Sequence, residues 1–527
     1  MKKHLWFLLP AALICAGVGY VGAVRTHTAG HDVLQFLDVA WRLLNGQRPH
    51  VDFYSPMGPL AYLFTAAGLA LSGLRVEGMG LGNAMFGAAV GIWGYRLALS
   101  RMSHAAASLT GVFVVLLAAA PQPLGAGPAS LSHAMYYNRF GSALLALILL
   151  EVIGEPNQPG RRGRASWLSG FSTGVAAGLL FQLKASYFLV GVSFVLVFYA
   201  LGRRRLPNWL GFVGGAVIAL LPAVVWLGSG ITGMVADQLF AGAARGQRVD
   251  LNKLFGVAYR SAGEAILLLL VAILSTDWKR GAGIVRWKWP LAAVAVFGAG
   301  VMLITTNAQD AGLPLGAVLI MLMTGGAARS GESPTLTRRA CALAAVLLLA
   351  ASASVDAASL LVAVREKHSP PGGAHAFLPA HMRGLLLYDL PDPSHPLANS
   401  NGNRYVDVVN SGIRLLQAQS SPGESVITLE QYNPFSYALL RKPGRGGFTF
   451  LAWGYSVSTG YKPPADRLFG GTDIVMVPKR NITDPALFWP IIDTYLPDVQ
   501  RMFTLAAENA DWWMYRRKHW KNSDGLH

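Results

Sequence analysis

Apolar residues fill the first 364 positions in long runs separated by short polar stretches. The first run extends from Leu5 to Val24. Others cover about 58 to 74, 79 to 98, 104 to 121, 138 to 153, 166 to 183, 186 to 201, 209 to 229, 262 to 276, 289 to 305, 313 to 327 and 340 to 363, twelve in all. Runs of this length and polarity predict helices that cross a bilayer or are buried against helices that do. Past residue 365 the pattern breaks, and Pro, Gly, Asn and His replace continuous apolar sequence. PGGAHAFLPA and LPDPSHPLANSNGN predict an irregular connection. After it, Arg404 to Gln419 has helical spacing, SVITL (Ser425 to Leu429) and DIVMV (Asp473 to Val477) predict strands, and Asn433-Pro434 and Asp484-Pro485 predict helix starts. Phe503 to Arg516 predicts a hairpin about Asn509.

The pattern therefore describes an α-helical polytopic membrane protein with about 11 to 13 transmembrane helices and a C-terminal extracytoplasmic α/β domain. The division falls at 1–364 and 365–527. Residues 1 to 24, with Lys2 and Lys3 ahead of the first run and Gly22 and Ala23 near its end, also fit a cleaved signal peptide. The run is long enough to span, so a retained helix is preferred, and either reading delivers the next loop to the outer side.

Composition agrees with this class. Hydrophobic residues make up 53% of the 527 and charged ones 13%. The formal charge of +17 raises the question of nucleic acid, and its position answers it. Lys plus Arg outnumber Asp plus Glu by 27 to 13 up to residue 364, but only by 17 to 14 beyond it. The excess lies in short clusters between apolar runs, which implies lipid headgroups and membrane topology rather than nucleic acid as the partner. Cys15 and Cys341 both lie in apolar runs, so a disulfide framework is excluded as an organising feature.

Basic clusters at Arg161, Arg162 and Arg164, at Arg203 to Arg205, at Lys279, Arg280, Arg286 and Lys288, and at Arg338 and Arg339 mark cytoplasmic loops. Loops 25–57, 122–137, 230–260 and 306–312 and everything after 364 then lie outside. Between 58 and 121 only two crossings fit this topology, yet three apolar runs occur, so one of them is expected to be a short or re-entrant helix.

The outer loop 25–57 is where chemistry concentrates, with Asp32, Asp38 and Asp52 close together. VLQFLDVAWRLLN (Val33 to Asn45) predicts an amphipathic helix along the outer interface, its apolar side turned to lipid or protein. Asp32 stands at its start, where an acid can cap free amides or face a cleft. Asp52, ahead of the turn at Pro56, Gly58 and Pro59, is expected to hold a loop by bonding backbone amides. Asp38 is either a partner of the site or part of an exposed helix face.

A first apolar helix, an acid just beyond it, an amphipathic helix, and then GQRPHVDFYSPMGPL leading into the next apolar run resemble the GT-C class of integral-membrane glycosyltransferases. More narrowly, the chain is similar to the bacterial branch with aminoarabinose transferases and protein O-mannosyltransferase relatives. The layout matches over nearly the whole chain, and the residue matches fall within about 31 to 60. The resemblance implies a sugar moved from a polyprenyl-phosphate donor to a lipid, glycan or protein acceptor at the outer face of the bacterial inner membrane, with the C-terminal domain in the periplasm. It also implies that Asp32 acts as general base on the acceptor hydroxyl or helps hold a divalent metal. Relatives often carry Asp-Glu where this chain has His31-Asp32, and they commonly have a second acid in the second outer loop, where this chain has none. That shifts weight to His133 or Arg139 in HAMYYNRF, with Tyr137 beside them as a surface for a sugar face.

A phosphate leaving group needs positive charge where negative charge grows. Arg139, Lys184, Arg245, Arg248 and Lys253 are the outer-loop cations placed to supply it. Lys184 is the most informative, because cations are few on the outer side. With Asp32 as catalytic base, His31, Asp38, His133, Tyr137, Arg139, Lys184, Arg245, Arg248 and Lys253 make up the candidate substrate-binding set. Asp237, Asp250 and Asp310 read as solvated or paired with a nearby Arg. The chain lacks a P-loop, an H-E-x-x-H zinc motif, a cysteine metal pattern and a nucleophile elbow, which excludes nucleotide-driven cytoplasmic chemistry as the leading reading. Two alternatives stay open: a transporter or flippase of lipid-linked saccharide, and a catalytically inert relative serving envelope assembly.

Overall fold

A computed structural model describes residues 2–27, 32–154, 162–202, 204–244, 251–276, 287–307, 309, 313–327, 336–369, 373–388, 402–481 and 485–518. In chain order the helices are α1 (Lys2–Val21), α2 (Val33–Leu44), α3 (Leu60–Leu71), α4 (Gly78–Leu99), α5 (His104–Ala119), α6 (Tyr136–Ile153), α7 (Arg162–Phe181), α8 (Ala185–Leu201), α9 (Leu206–Leu227) and α10 (Gly230–Ala244). They continue with α11 (Leu251–Arg260), α12 (Ala262–Leu274), α13 (Lys288–Thr306), α14 (Pro314–Ala327) and α15 (Leu336–His368). Beyond α15 come α16 (Gly402–Gln419), β1 (Val426–Thr428), α17 (Phe435–Ala438), α18 (Ala465–Phe469), β2 (Ile474–Pro478), α19 (Pro485–Met502), β3 (Phe503–Glu508) and β4 (Trp512–Arg517).

Every residue of helix α6 is buried, including its charged Arg139 and Glu151. A helix of that kind belongs at the centre of a bundle, and α4, α5, α7, α8 and α14 pack around it. On the outside of the bundle, Trp6, Leu13, Leu210, Val225 and Leu361 are exposed, a surface suited to lipid. By length and composition five helices can cross a membrane among the described residues: α1, α6, α9, α13 and the Leu347–His368 part of α15. The pair α11 and α12, bent by 61°, makes a sixth if read as one broken span. The chain is a multi-pass membrane protein. Helices α7 and α9 approach along facing glycines: a Cβ at Gly174 would strike the Phe212 carbonyl, and one at Gly215 the Phe171 carbonyl. Small residues spaced by four let two backbones meet where lipid tails give no hydrophobic drive.

Three apolar runs where two crossings fit are reconciled by α3. Its start is tied to the α7–α8 turn, where Gln182 O accepts from Leu60 N at 3.0 Å. The residues after it reach the C-terminal domain, with Tyr437 Oη donating to Leu74 O at 2.7 Å and Val76 N to His381 O at 3.0 Å. Twelve residues of helix rise about 18 Å, short of the roughly 30 Å of a hydrocarbon core. Run 58–74 thus keeps both ends on the face that carries the C-terminal domain, here termed the domain face. The expected loop 230–260 holds two helices, α10 and α11.

In the C-terminal region the sheet order is β1-β2-β4-β3, with β1 and β2 parallel and the other pairs antiparallel. Val426, Ile474, Met476, Trp512 and Met514 face one way and pack with α16 residues Val409 and Ile413. Ile427, Val475, Val477 and Tyr515 face the other and pack with Ile491, Tyr495 and Val499 of α19. Covering on both sides explains why the two parallel strands are buried at every position rather than alternating. The strands expected at 425–429 and 473–477 form here, as does the hairpin about Asn509, whose side chain accepts from the backbone of Asp511 and Trp512.

Candidate functional site

Helix α2 carries its polar residues at spacings of three and four: Gln35, Asp38 and Arg42, with Asp32 one turn ahead of Gln35. That spacing puts them in one stripe. The apolar residues around the stripe pack on the membrane helices, chiefly α3. The stripe itself meets the C-terminal domain rather than water, so every residue from Val33 to Arg42 is buried. The apolar side of the expected amphipathic helix thus turns to protein, and its polar stripe is covered by the C-terminal domain.

The contacts along the stripe are specific. Gln35 Nε2 donates to Tyr62 Oη at 3.1 Å and to Thr449 Oγ1 at 3.2 Å. Arg42 Nε pairs with Asp38 Oδ2 at 2.7 Å, and its Nη1 donates to Gln47 Oε1 and to the carbonyls of Gly444 and Gly446. Asn433 Nδ2 donates to Asp38 Oδ1 at 3.2 Å, and Trp41 Nε1 to Arg441 O at 2.7 Å. Burial raises the Asp38 carboxyl above its ordinary range even though Arg42 and Asn433 pull the other way. The exposed-face reading of Asp38 is therefore corrected. Its carboxylate is committed to an ion pair that fixes α2 against the domain.

Asp32 sits at the N-terminal end of this stripe and is half-buried. It does not cap α2 through its side chain. Its Oδ1 accepts instead from the hydroxyl of Tyr432, in the segment after β1. The Tyr432 backbone N–H donates to Glu430 Oε2 at 3.0 Å. Burial first, then the charges of Asp32 and Glu430, push the hydroxyls of Tyr432 and Tyr405 well above the ordinary tyrosine value, so both stay protonated. Two carboxylates and two neutral hydroxyls thus gather where the first loop, α16 and the segment after β1 meet.

Other expected residues go elsewhere. His133 is buried, accepts from Val24 N at Nε2 (3.0 Å) and lies 3.2 Å from the Asn83 amide at Nδ1. Burial lowers it to about 4. It ties the second loop to the end of α1. Arg139 is fully buried in α6, pairs with Asp356 of α15 at 2.9 Å and donates to the carbonyls of Leu117 and Gln122. Tyr137 and Lys184 do meet, with the ammonium 4.4 Å from the ring centroid. Lys184 follows Gln182 and Leu183, whose carbonyls bind Leu60 N and Gly58 N, so it stands on the domain face with α2. Asp52 accepts from Arg48 N at 2.7 Å, the expected loop role. Asp237 is buried and bonds His50 Nδ1 at 2.8 Å and Ser55 N, not an arginine. His31, Arg245, Arg248, Asp250, Asp310 and the side chain of Lys253 lie outside the described residues.

Sequence reasoning missed Glu430, Tyr432, Tyr405 and Asp356. The first two were within reach, since LEQYN follows a strand and polar residues past the carboxyl end of a parallel strand often line a site. Asp356 was a lone acid in an apolar run, which is itself a signal. Beside the stripe, a narrow cleft opens between the first loop, α10 and the C-terminal domain, lined by Tyr54, Pro56, Asp237, Phe240, Phe448 and Tyr461. Among the described residues no three His, Cys, Asp or Glu side chains gather as metal ligands would.

No protein-family model matches the chain, and no curated protein matches it. Among solved structures, it is similar to ArnT from Cupriavidus metallidurans in the apo state, at 14% identity and a TM-score of 0.49, covering 98% of each chain. ArnT from the same organism bound to undecaprenyl phosphate aligns at 13% identity and a TM-score of 0.47 over 97% of this chain and 98% of that one. The arabinofuranosyltransferase AftD from Mycobacteria aligns at 12% identity and a TM-score of 0.43, covering 98% of this chain and 40% of that one.

Proposed function

We propose that this protein is a glycosyltransferase that moves a sugar from a polyprenyl-phosphate donor to a cell-envelope acceptor, with inversion at the anomeric carbon and Asp32 as general base. The reaction takes place at the periplasmic face of the bacterial inner membrane, where the C-terminal domain sits. One observation carries the reading: the Asp32 carboxylate, half-buried on the domain face, is turned to Tyr432 instead of being used as a helix cap. A carboxylate held that way is fixed in direction and can take a proton from a hydroxyl brought to the same place.

In the step itself the acceptor oxygen attacks the anomeric carbon from the side opposite the phosphate. The bond between that carbon and the phosphate oxygen breaks and its electron pair leaves with the phosphate. The acceptor proton passes to Asp32. Lys184, held over Tyr137 on the same face as α2, supplies positive charge for the departing lipid phosphate. The resemblance over residues 31 to 60 supports the same assignment.

The test is the Asp32→Asn chain, assayed in membranes with a panel of undecaprenyl-phosphate monosaccharides. Transfer is expected to fall by about a thousandfold, within the usual range for losing a general base, with membrane insertion unchanged. Wild-type transfer by that variant removes Asp32 from the mechanism. Movement of intact donor across the bilayer without cleavage would favour a transporter instead.

A further inference from the structure

The C-terminal domain does more than cover α2. We propose that it completes the active site: Tyr432 is a positioning residue for Asp32, and Glu430 is a second carboxylate of the same site. This inference rests on the glycosyltransferase reading above.

Tyr432 is bonded to both acids at once. Its hydroxyl donates to Asp32 Oδ1 from one side, and its own backbone N–H holds Glu430 Oε2 from the other. It is fully buried, with the Phe450 ring 5.6 Å away, so its hydroxyl has little freedom to move off Asp32. Tyr405, on α16, lies close enough to both carboxylates for each to raise it further. The segment that carries Glu430 and Tyr432 leaves the carboxyl end of β1, and Leu429 N continues the parallel ladder by donating to Met476 O at 2.8 Å. The sheet thus sets where the segment stands, and the segment sets where Asp32 points.

A simple latch between the two parts of the protein would not need this arrangement. Trp41 to Arg441 O, Tyr54 N to Gly447 O and Gln35 to Thr449 already join them with neutral groups. Glu430 is 3% exposed. It and Asp32 are held at the two ends of one buried tyrosine, and both lie near enough to the Tyr405 hydroxyl to raise it. Carboxylates kept close in that way are a mark of sites that handle protons. The segment after β1 thus brings a second acid to the same tyrosine that holds Asp32.

The experiment uses the full chain in detergent or vesicles and follows release of free sugar from undecaprenyl-phosphate monosaccharides. Water then stands in for the acceptor: its oxygen bonds to the anomeric carbon, the phosphate leaves with the electron pair, and the proton goes to the carboxylate site. Tyr432→Phe keeps the ring and removes the hydroxyl, Glu430→Gln keeps the shape and removes the charge, and Asn433→Ala removes a neighbouring interdomain bond that does not touch Asp32. The expected result is that the first two lower kcat by about tenfold to hundredfold, the effect of losing a hydrogen bond to a charged group, with donor KM unchanged. Asn433→Ala is expected to lower the melting temperature while leaving kcat near wild type. Wild-type kcat in Tyr432→Phe and Glu430→Gln, with Asp32→Asn inactive, overturns this inference and leaves the glycosyltransferase reading standing. Equal losses in all three, tracking their melting temperatures, also overturn it, because the segment is then only a latch. A wild-type chain that cleaves none of the donors overturns the glycosyltransferase reading, and this inference with it.

Discussion

Asp38→Asn is expected to destabilise the protein strongly, whereas Asp38→Leu combined with Arg42→Met recovers most of the loss. The pair is buried on both sides, with side-chain exposures of 2% and 1%, and its Nε–Oδ2 distance is 2.7 Å. Taking one partner from such a pair typically costs about 3 to 5 kcal/mol, because the other charge is left in a poor dielectric. Here the Arg42 guanidinium keeps Gln47 and the carbonyls of Gly444 and Gly446, so the lower figure, about 3 kcal/mol, applies. Burial raises the Asp38 carboxyl despite Arg42, which says that desolvation outweighs the attraction. Removing both charges therefore removes a penalty as well as a bond, offset by the two carbonyls and the Asn433 amide left to find other partners. Unfolding midpoints of the detergent-purified full chain, followed by tryptophan fluorescence, separate the cases. At about 2 to 4 °C per kcal/mol the single change lowers the midpoint by roughly 6 to 12 °C. A single variant within a degree of wild type, or a double variant as unstable as the two singles added, refutes the reasoning.

Two further outcomes follow from the same structure. Burial lowers the His133 imidazole from the ordinary histidine value of 6.5 to about 4, so the folded chain resists the proton that the unfolded chain takes up. Its contribution is complete above pH 6.5 and is lost as pH falls from there toward 4, up to about 3 kcal/mol, and His133→Asn should flatten that part of the stability profile. Lys184→Ala should raise donor KM by about tenfold or more while leaving acceptor KM alone, since the ammonium above Tyr137 serves the phosphate. Equal effects on donor and acceptor would argue against that role.

Much was legible along the chain because membranes and strands impose periods that a sequence displays. Long apolar runs required helices satisfied within themselves, and they formed. DIVMV and SVITL became strands because apolar residues without alternation suit a sheet covered on both faces. Asp32 was visible as an acid beyond the first helix, Asp52 as a loop residue ahead of a Pro-Gly turn, and the excess run between 58 and 121 as a fault in topology.

What stayed hidden were the partners, because a period tells which face a residue takes and not what meets that face. The stripe Gln35, Asp38 and Arg42 is equally suited to water or to a protein surface, and only the docking of the C-terminal domain made it a buried seam. His133 and Arg139 looked available because they stand beside an outer loop, but the end of α1 and Asp356, far away in sequence, already hold them. Which of three apolar runs turns back depended on Tyr437 and His381 reaching the chain after α3. By itself the sequence determined the helices, the strands and the candidate base. Tertiary structure decided its surroundings, since the Tyr432 hydroxyl reaches Asp32 only when residues 400 apart fold onto one face.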